Sequence, residues 1–175
     1  MRYIHDTKVK KGVERFLDPN DVIQILILVI LLAFSVFFSS AETALTTSNK
    51  LRMRGLAEEG NKRAQAVLEV TDNSGKMLSA ILIGNNIVNL SAASLTTTIA
   101  YKFGGSMVAL ASGIITVLIL LFGEITPKTT ATIHADKMAL YYAPVIRIFM
   151  KLMTPVIFVI NGLSMGILSL LHINS

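Results

Sequence analysis

Glu124 follows the apolar stretch Met107 to Phe122, inside the run Phe122-Gly123-Glu124-Ile125-Thr126-Pro127-Lys128. An ionisable side chain at membrane depth is costly to keep in hydrocarbon, so by default it marks a functional position. Pro127 adds a second feature. A proline in a helix has no amide hydrogen, and its ring crowds the carbonyl four residues earlier, which here belongs to Gly123. The segment thus offers a carboxylate and a backbone oxygen freed of its usual donor, the two oxygen types that hard cations prefer. That combination predicts a cation site within a bilayer. Lys128 leaves an alternative open, because it lies four residues after Glu124 and can neutralise it as an ordinary ion pair.

Two further polar groups interrupt apolar sequence. Asn85 and Asn89, in Ile83-Gly84-Asn85-Asn86-Ile87-Val88-Asn89, are four residues apart, so both amides project from one helical face. Two amide oxygens one turn apart can chelate a cation, or the same amides can tie helices together through hydrogen bonds. Gly84 predicts the close approach of another backbone on that face. Ser39, Ser40, Glu42 and Thr43 form the other group, in which Ser39 and Thr43 share a face. Taken alone, Ser39 reads as a serine bonded to its own helix backbone, and Glu42 reads either as part of the patch or as a carboxylate reaching the interface.

The inventory narrows the metal. With no cysteine there is no thiolate for zinc, copper or an iron–sulfur cluster, and His5, His134 and His172 are too scattered for a metal motif. A bound metal is therefore a hard ion held by oxygen. An intramembrane enzyme finds little support, since no nucleophile is paired with a base and His134 has no evident partner.

The elements that must position these groups read as membrane helices. Hydrophobic residues make up 53% of the chain and charged residues 15%, unlike an ordinary soluble domain. A net charge of +5 is compatible with nucleic-acid binding, but aromatics are only 7% and the basic residues cluster beside apolar segments. Membrane orientation explains them better, and no nucleic-acid partner is expected. Val22 to Phe38, extended through Ala44, is long enough for a first span, and the apolar segments after it argue against a cleaved signal peptide. Between Lys50 and Val70 charges alternate with Leu51, Met53, Leu56, Ala64, Val67 and Leu68, and Gly55 and Gly60 read as interruptions. This predicts short amphipathic helices along the interface. Met77 to Ala100, rich in Ser, Thr, Asn and Gly, predicts a second, closely packed span. A turn at Tyr101 to Gly105 leads to a third span, Met107 to Phe122, ended by a break at Pro127. Beyond it, Met138 to Met150 and Leu152 to Leu171, carrying Pro144 and Pro155, read as a fourth span or as a pair of interfacial helices.

Charge sets an orientation. Lys50, Arg52, Arg54, Lys62, Arg63 and Lys76 follow the first span, whereas Lys102 alone follows the second, which predicts a cytoplasmic first connection and an external amino terminus. Arg2, Lys8, Lys10, Lys11 and Arg15 in the amino-terminal tail run against it.

Phe38-Ser39-Ser40-Ala41-Glu42-Thr43-Ala44-Leu45, then Ile83 to Asn89, then Phe122 to Lys128, taken together and in this order, resemble the CorC/CNNM family transmembrane domain. The resemblance covers roughly Val22 to the carboxyl end, and leaves residues 1–20 as a polar tail before a transmembrane domain at 21–175. It implies an all-α membrane protein, a homodimer with three transmembrane helices per subunit and a belt of juxtamembrane amphipathic helices, in a multi-pass arrangement in the cell membrane with the carboxyl end cytoplasmic. On this reading Leu152 to Leu171 belongs to the belt. The implied activity is export of Mg²⁺ in exchange for Na⁺, and the motif positions that carry over as Mg²⁺ ligands are Ser39, Asn85, Asn89, Gly123 and Glu124. Family members continue into paired, nucleotide-binding CBS domains, a region absent from residues 1–175.

The expected chemistry is consistent with that ion. Mg²⁺ dehydrates reluctantly and takes about six oxygens in near-octahedral geometry. Hydroxyl, amide, carboxylate and carbonyl oxygens from three helices can replace part of its water shell, and a single carboxylate leaves divalent charge uncompensated, which eases release. Na⁺ exchange would use the same oxygens or a neighbouring set such as Ser40 and Asn86. Pro127 and the glycines near the breaks are candidate hinges for alternating access. The competing reading is a non-transporting membrane scaffold or regulator that senses Mg²⁺.

Overall fold

The computed structural model describes residues 19–101 and 105–170, and the side chains of Ser106, Met107, Ala111, Asn161 and 164–170 lie outside that description. The polar tail falls outside it except for Pro19 and Asn20, as do Lys102, Phe103 and Gly104 of the expected turn. Among the described residues there is no strand. The helices are α1 (Pro19–Thr47), α2 (Lys50–Glu58), α3 (Lys62–Asp72), α4 (Ser74–Tyr101), α5 (Gly105–Leu118), a π-helical segment (Ile119–Ile125), α6 (Thr126–Ile133) and α7 (Ala135–Leu170).

Long apolar runs make α1 and α4, and each outlasts its predicted span by only a few residues at either end. The two short helices between α1 and α4, α2 and α3, here called the belt, form for a local reason. Asn49 accepts from the amides of Leu51 and Arg52, and Asn61 accepts from those of Arg63 and Ala64, so an asparagine cap opens each short helix. Gly60, at φ 89°, makes the left-handed turn between them. Gly55, expected as a second interruption, lies inside α2.

Pro127 does not break the third span. The helix widens ahead of it, with the Thr126 amide donating to the Leu121 carbonyl, and continues as α6 to Ile133. A wider turn shifts the bonding register by one residue, which carries the ladder past a residue that cannot donate. The carboxyl-terminal region, expected as a fourth span or as a pair of interfacial helices, is one helix through Pro144 and Pro155. Its residues Ala139, Ala143, Ile146, Met150 and Ile157 share a buried face, and that packing holds the helix together where each proline removes a bond. Among the described residues four helices, Pro19–Thr47, Ser74–Tyr101, Val108–Ile133 and Ala135–Ile160, are therefore long and apolar enough to cross a membrane.

The buried core lies toward the belt. Ala41, Ala44 and Leu45 of α1 pack with Met53, Val67 and Val70 of the belt, Met77, Ala80 and Ile81 of α4, Ala131 of α6 and Ala139 and Ile146 of α7. The other half of α1 presents Val22, Leu26, Val29 and Phe34 outward, as a lipid-facing surface does. Charged contacts fix the belt to α7. Asp136 accepts from the Asn49 amide at 2.8 Å and from Arg52 at 3.1 Å, Arg147 donates to Glu69 at 2.9 Å, and Arg63 stacks over Tyr141.

Candidate cation site

α1, α4 and the π-helical segment meet where the polar residues lie. Ser35 Oγ of α1 donates to Asn89 Oδ1 of α4 at 2.9 Å, and Asn89 Nδ2 donates to Glu124 Oε1 at 3.4 Å. Gly123, beside Glu124, is buried against Ser35, and a Cβ on it would stand 3.0 Å from Ser35 Oγ. Absence of a side chain there lets α1 and the π-helical segment close together.

One turn toward the belt is a second polar layer. α1 and α4 connect to this layer in opposite chain directions, so Ser39 and Asn85 come to one depth, each four residues from the Ser35–Asn89 contact. The neighbouring pair supports that register, because Gly84 lies directly against the Phe38 ring. Both residues carry an unusual atom: Ser39 Oγ and Asn85 Oδ1 are buried and have no hydrogen-bond partner. An acceptor left in this condition costs about 1–3 kcal/mol, so such atoms need a reason. Ligation of a cation is one.

The neighbours show that partners were within reach of the chain. Ser40 Oγ donates to the Val36 carbonyl and approaches Tyr142 Oη at 2.9 Å, and Thr43 Oγ1 donates to the Ser39 carbonyl at 3.2 Å. The backbone bond expected for Ser39 is thus made by Ser40 and Thr43 instead. Gly84, expected to admit a backbone, admits the rings of Phe38 and Phe149. Lys128 pairs with Glu42, Nζ to Oε2 at 3.4 Å, with both side chains close to half exposed. The expected alternative, neutralisation of Glu124 by Lys128, is therefore not what the structure holds. Among the described residues Glu124 keeps the Asn89 amide as its recorded partner.

Ser39, Asn85, Asn89, Gly123 and Glu124 are accordingly gathered by three helices into two adjacent layers. In this structure the Ser40 hydroxyl is engaged with Val36 and Tyr142, and Asn86 is exposed. Ser35 is the residue the sequence motifs passed over. Its signal was present, as a hydroxyl four residues before Ser39 in an otherwise apolar run. No group of three or more His, Asp or Glu residues is gathered among the described residues, so the donors are mainly neutral oxygens.

On the far side of this cluster from the belt, an apolar cavity of about 120 Å³ is lined by Leu28, Leu32, Ala92, Ile115, Leu118 and Ile119 among others. Leu32 also abuts Gly123.

The family model described as the cyclin M (CNNM) transmembrane N-terminal domain matches residues 26–175. The chain belongs to the CNNM family. Among curated relatives, this CNNM chain is 39% identical over 137 residues to a UPF0053 protein of Haemophilus influenzae, covering 78% of the chain and 33% of that protein. It is 32% identical over 142 residues to the UPF0053 inner membrane protein YfjD of Escherichia coli, covering 81% and 33%. A protein of the same bacterium named polyamine export protein is 30% identical over 155 residues, covering 80% and 34%. The chain spans about a third of the length of these relatives.

Proposed function

We propose that this CNNM chain is the membrane part of a Mg²⁺ exporter driven by Na⁺ exchange. It works as a homodimer in the cell membrane, with three helices spanning, the carboxyl-terminal helix forming part of the juxtamembrane belt, an external amino terminus and a cytoplasmic carboxyl end. The observation that carries the reading is the pair of buried, unpartnered oxygens, Ser39 Oγ and Asn85 Oδ1, in the layer next to Asn89 and Glu124. Hydroxyl, two amides, a carboxylate and the Gly123 carbonyl supply five oxygens, and a retained water completes the six that Mg²⁺ takes. Pro127 supports an open carbonyl on this turn, since it has no amide to donate to the carbonyls one turn before it.

The basic belt supports a cytoplasmic mouth on the side of Glu42 and Lys128. The apolar cavity beyond the site supports a dry barrier toward the other side, so cation enters from the belt and leaves only after the helices rearrange. The π-helical segment is the element suited to that movement, because its hydrogen-bond register can shift without unfolding the span.

A second reading has its own observation, the relative named polyamine export protein. An organic polycation would use Glu124 and the amide oxygens as hydrogen-bond acceptors for ammonium groups. The deciding experiment is flux from sealed liposomes under an imposed Na⁺ gradient, with Mg²⁺ or spermidine as cargo, for the unaltered chain, Glu124→Gln and Asn89→Ala. Mg²⁺ movement that needs the gradient and both side chains supports the exchanger. Spermidine movement with the same dependence transfers the site to polyamines. Neither flux, with Mg²⁺ binding that still requires Glu124, favours a sensor.

A further inference from the structure

We infer that Ser35 positions the Asn89 amide for the cation, as a hydroxyl that bonds whichever end of the amide the cation does not take. The inference rests on the cation site proposed above and extends it to a residue outside that ligand set.

Ser35 is 1% exposed. Ser40, Thr43 and Thr46 of the same helix turn their hydroxyls back onto α1 carbonyls, whereas the Ser35 hydroxyl crosses to α4 and donates to Asn89 Oδ1 at 2.9 Å. The other end of that amide donates to Glu124 Oε1. Ser35, Asn89 and Glu124 therefore form one hydrogen-bonded row from three helices, and Gly123 is kept free of a side chain where Ser35 enters it.

An asparagine amide has an acceptor at one end and two donors at the other, and only the acceptor can ligate a cation. With Oδ1 on the cation, Nδ2 must point away from it and needs an acceptor. A serine hydroxyl donates or accepts, so Ser35 serves both orientations without moving. A cation on Oδ1 also polarises the amide and makes Nδ2–H the stronger donor, so the Ser35 bond is worth more with cation bound than without. Loss of the hydroxyl consequently weakens binding.

The test is MgCl₂ titration by calorimetry of the purified full chain in detergent, with Ser35→Ala, Ser35→Cys, Ser35→Thr, Asn89→Ala and the Ser35→Ala/Asn89→Ala pair. Ser35→Ala is expected to raise Kd about threefold to tenfold, the range a single hydrogen bond commands. Ser35→Cys fills the space with a poor hydrogen-bonding group and gives the same result, which keeps the test intact if alanine loosens the fold. Ser35→Thr retains the hydroxyl and stays within about twofold of the unaltered chain. In the Asn89→Ala background, Ser35→Ala adds nothing, because the residue acts through the amide. An equal rise in Kd in both backgrounds overturns the inference, since it would mean a general effect on the fold. Weaker binding in Asn89→Ala alongside unchanged binding in Ser35→Ala and Ser35→Cys also overturns it while leaving the site standing. Unchanged binding in Asn89→Ala refutes the site, and the inference with it.

Discussion

Replacing Gly123 by alanine separates packing from ligation, because the substitution leaves the backbone carbonyl in place. The added Cβ would meet Ser35 Oγ at 3.0 Å, Leu32 Cδ1 at 3.4 Å and Ser35 Cβ at 3.5 Å. The first contact is tighter than about nine in ten real contacts of a Cβ, so Ser35 must give by a few tenths of an ångström, and the last two are ordinary. Ser35 is buried on a packed helix, so relief comes from moving the hydroxyl or parting the helices, at about 1–3 kcal/mol. Alanine's preference for helix over glycine returns about 1 kcal/mol. The net loss of about 0–2 kcal/mol corresponds to a fall of roughly 2–4 °C in melting temperature per kcal/mol for a chain of this size. Removing the Ser35 oxygen removes the short contact and leaves only the helix-propensity gain. Gly123→Ala should therefore lower the melting temperature of the unaltered chain and raise that of Ser35→Ala. The assay is loss of the monodisperse size-exclusion peak after heating in detergent without divalent cations. Mg²⁺ binding follows a different rule, because the double variant regains stability but still lacks the hydroxyl on Asn89. The same temperature shift from Gly123→Ala in both backgrounds would refute the steric argument.

Three further outcomes follow from the same contacts. Ser39→Ala should not destabilise the protein in the absence of divalent cations, because its oxygen has no partner to lose. It should reduce the rise in melting temperature on adding MgCl₂, which reports binding to the folded state. Lys128→Ala and Glu42→Gln should each change stability by less than about 1 kcal/mol, the usual worth of a half-exposed pair, and Lys128→Ala should leave Mg²⁺ affinity within about twofold by calorimetry. A tenfold change would mean that Lys128 acts on Glu124 after all. Gly84→Ala places a methyl 2.6 Å from the Phe38 ring, which Phe37 and Phe149 hold edge-on and tilted, and should cost about 1–3 kcal/mol in thermal stability.

How far each feature could be read from the sequence depends on whether its cause is local. The first two spans come from apolar composition over more than twenty residues, and α2 and α3 from charges alternating with apolar residues, so all were legible, whereas the caps at Asn49 and Asn61 were passed over. The third span was legible in place and not in shape. Pro127 signals trouble in the ladder, but whether the chain breaks or widens depends on packing against α1, and here it widens upstream into the segment bearing Glu124. α7 shows the same limit, since Pro144 and Pro155 argue for interruption while the buried face from Ala139 to Ile157 keeps one helix. Partners were the least legible. A spacing of four favours Lys128 with Glu124 on an isolated helix, yet the neighbouring helix offers Glu42 and takes it.

The contrast between Ser39 and Ser40 bears on mechanism more than the charges do. Both are buried serines on one helix, yet Ser40 turns its hydroxyl onto a carbonyl of its own helix and Ser39 leaves its oxygen unpaired. Backbone bonding is open to any helical serine, so a buried hydroxyl with no protein partner, as at Ser39, is left available to a water or a cation. A site that keeps some acceptors unpaired gains more when a cation arrives than one whose oxygens must first break internal bonds. Asn89 works in the opposite sense, because its amide is held between Ser35 and Glu124 and must exchange one bond for another. In the proposed exchanger these two behaviours have separate uses. Ser39 and Asn85 raise affinity, while the Ser35–Asn89–Glu124 row offers the carboxylate a replacement partner as the cation leaves. With only one carboxylate in the row, that exchange of partners need not overcome the full charge of an acidic cage.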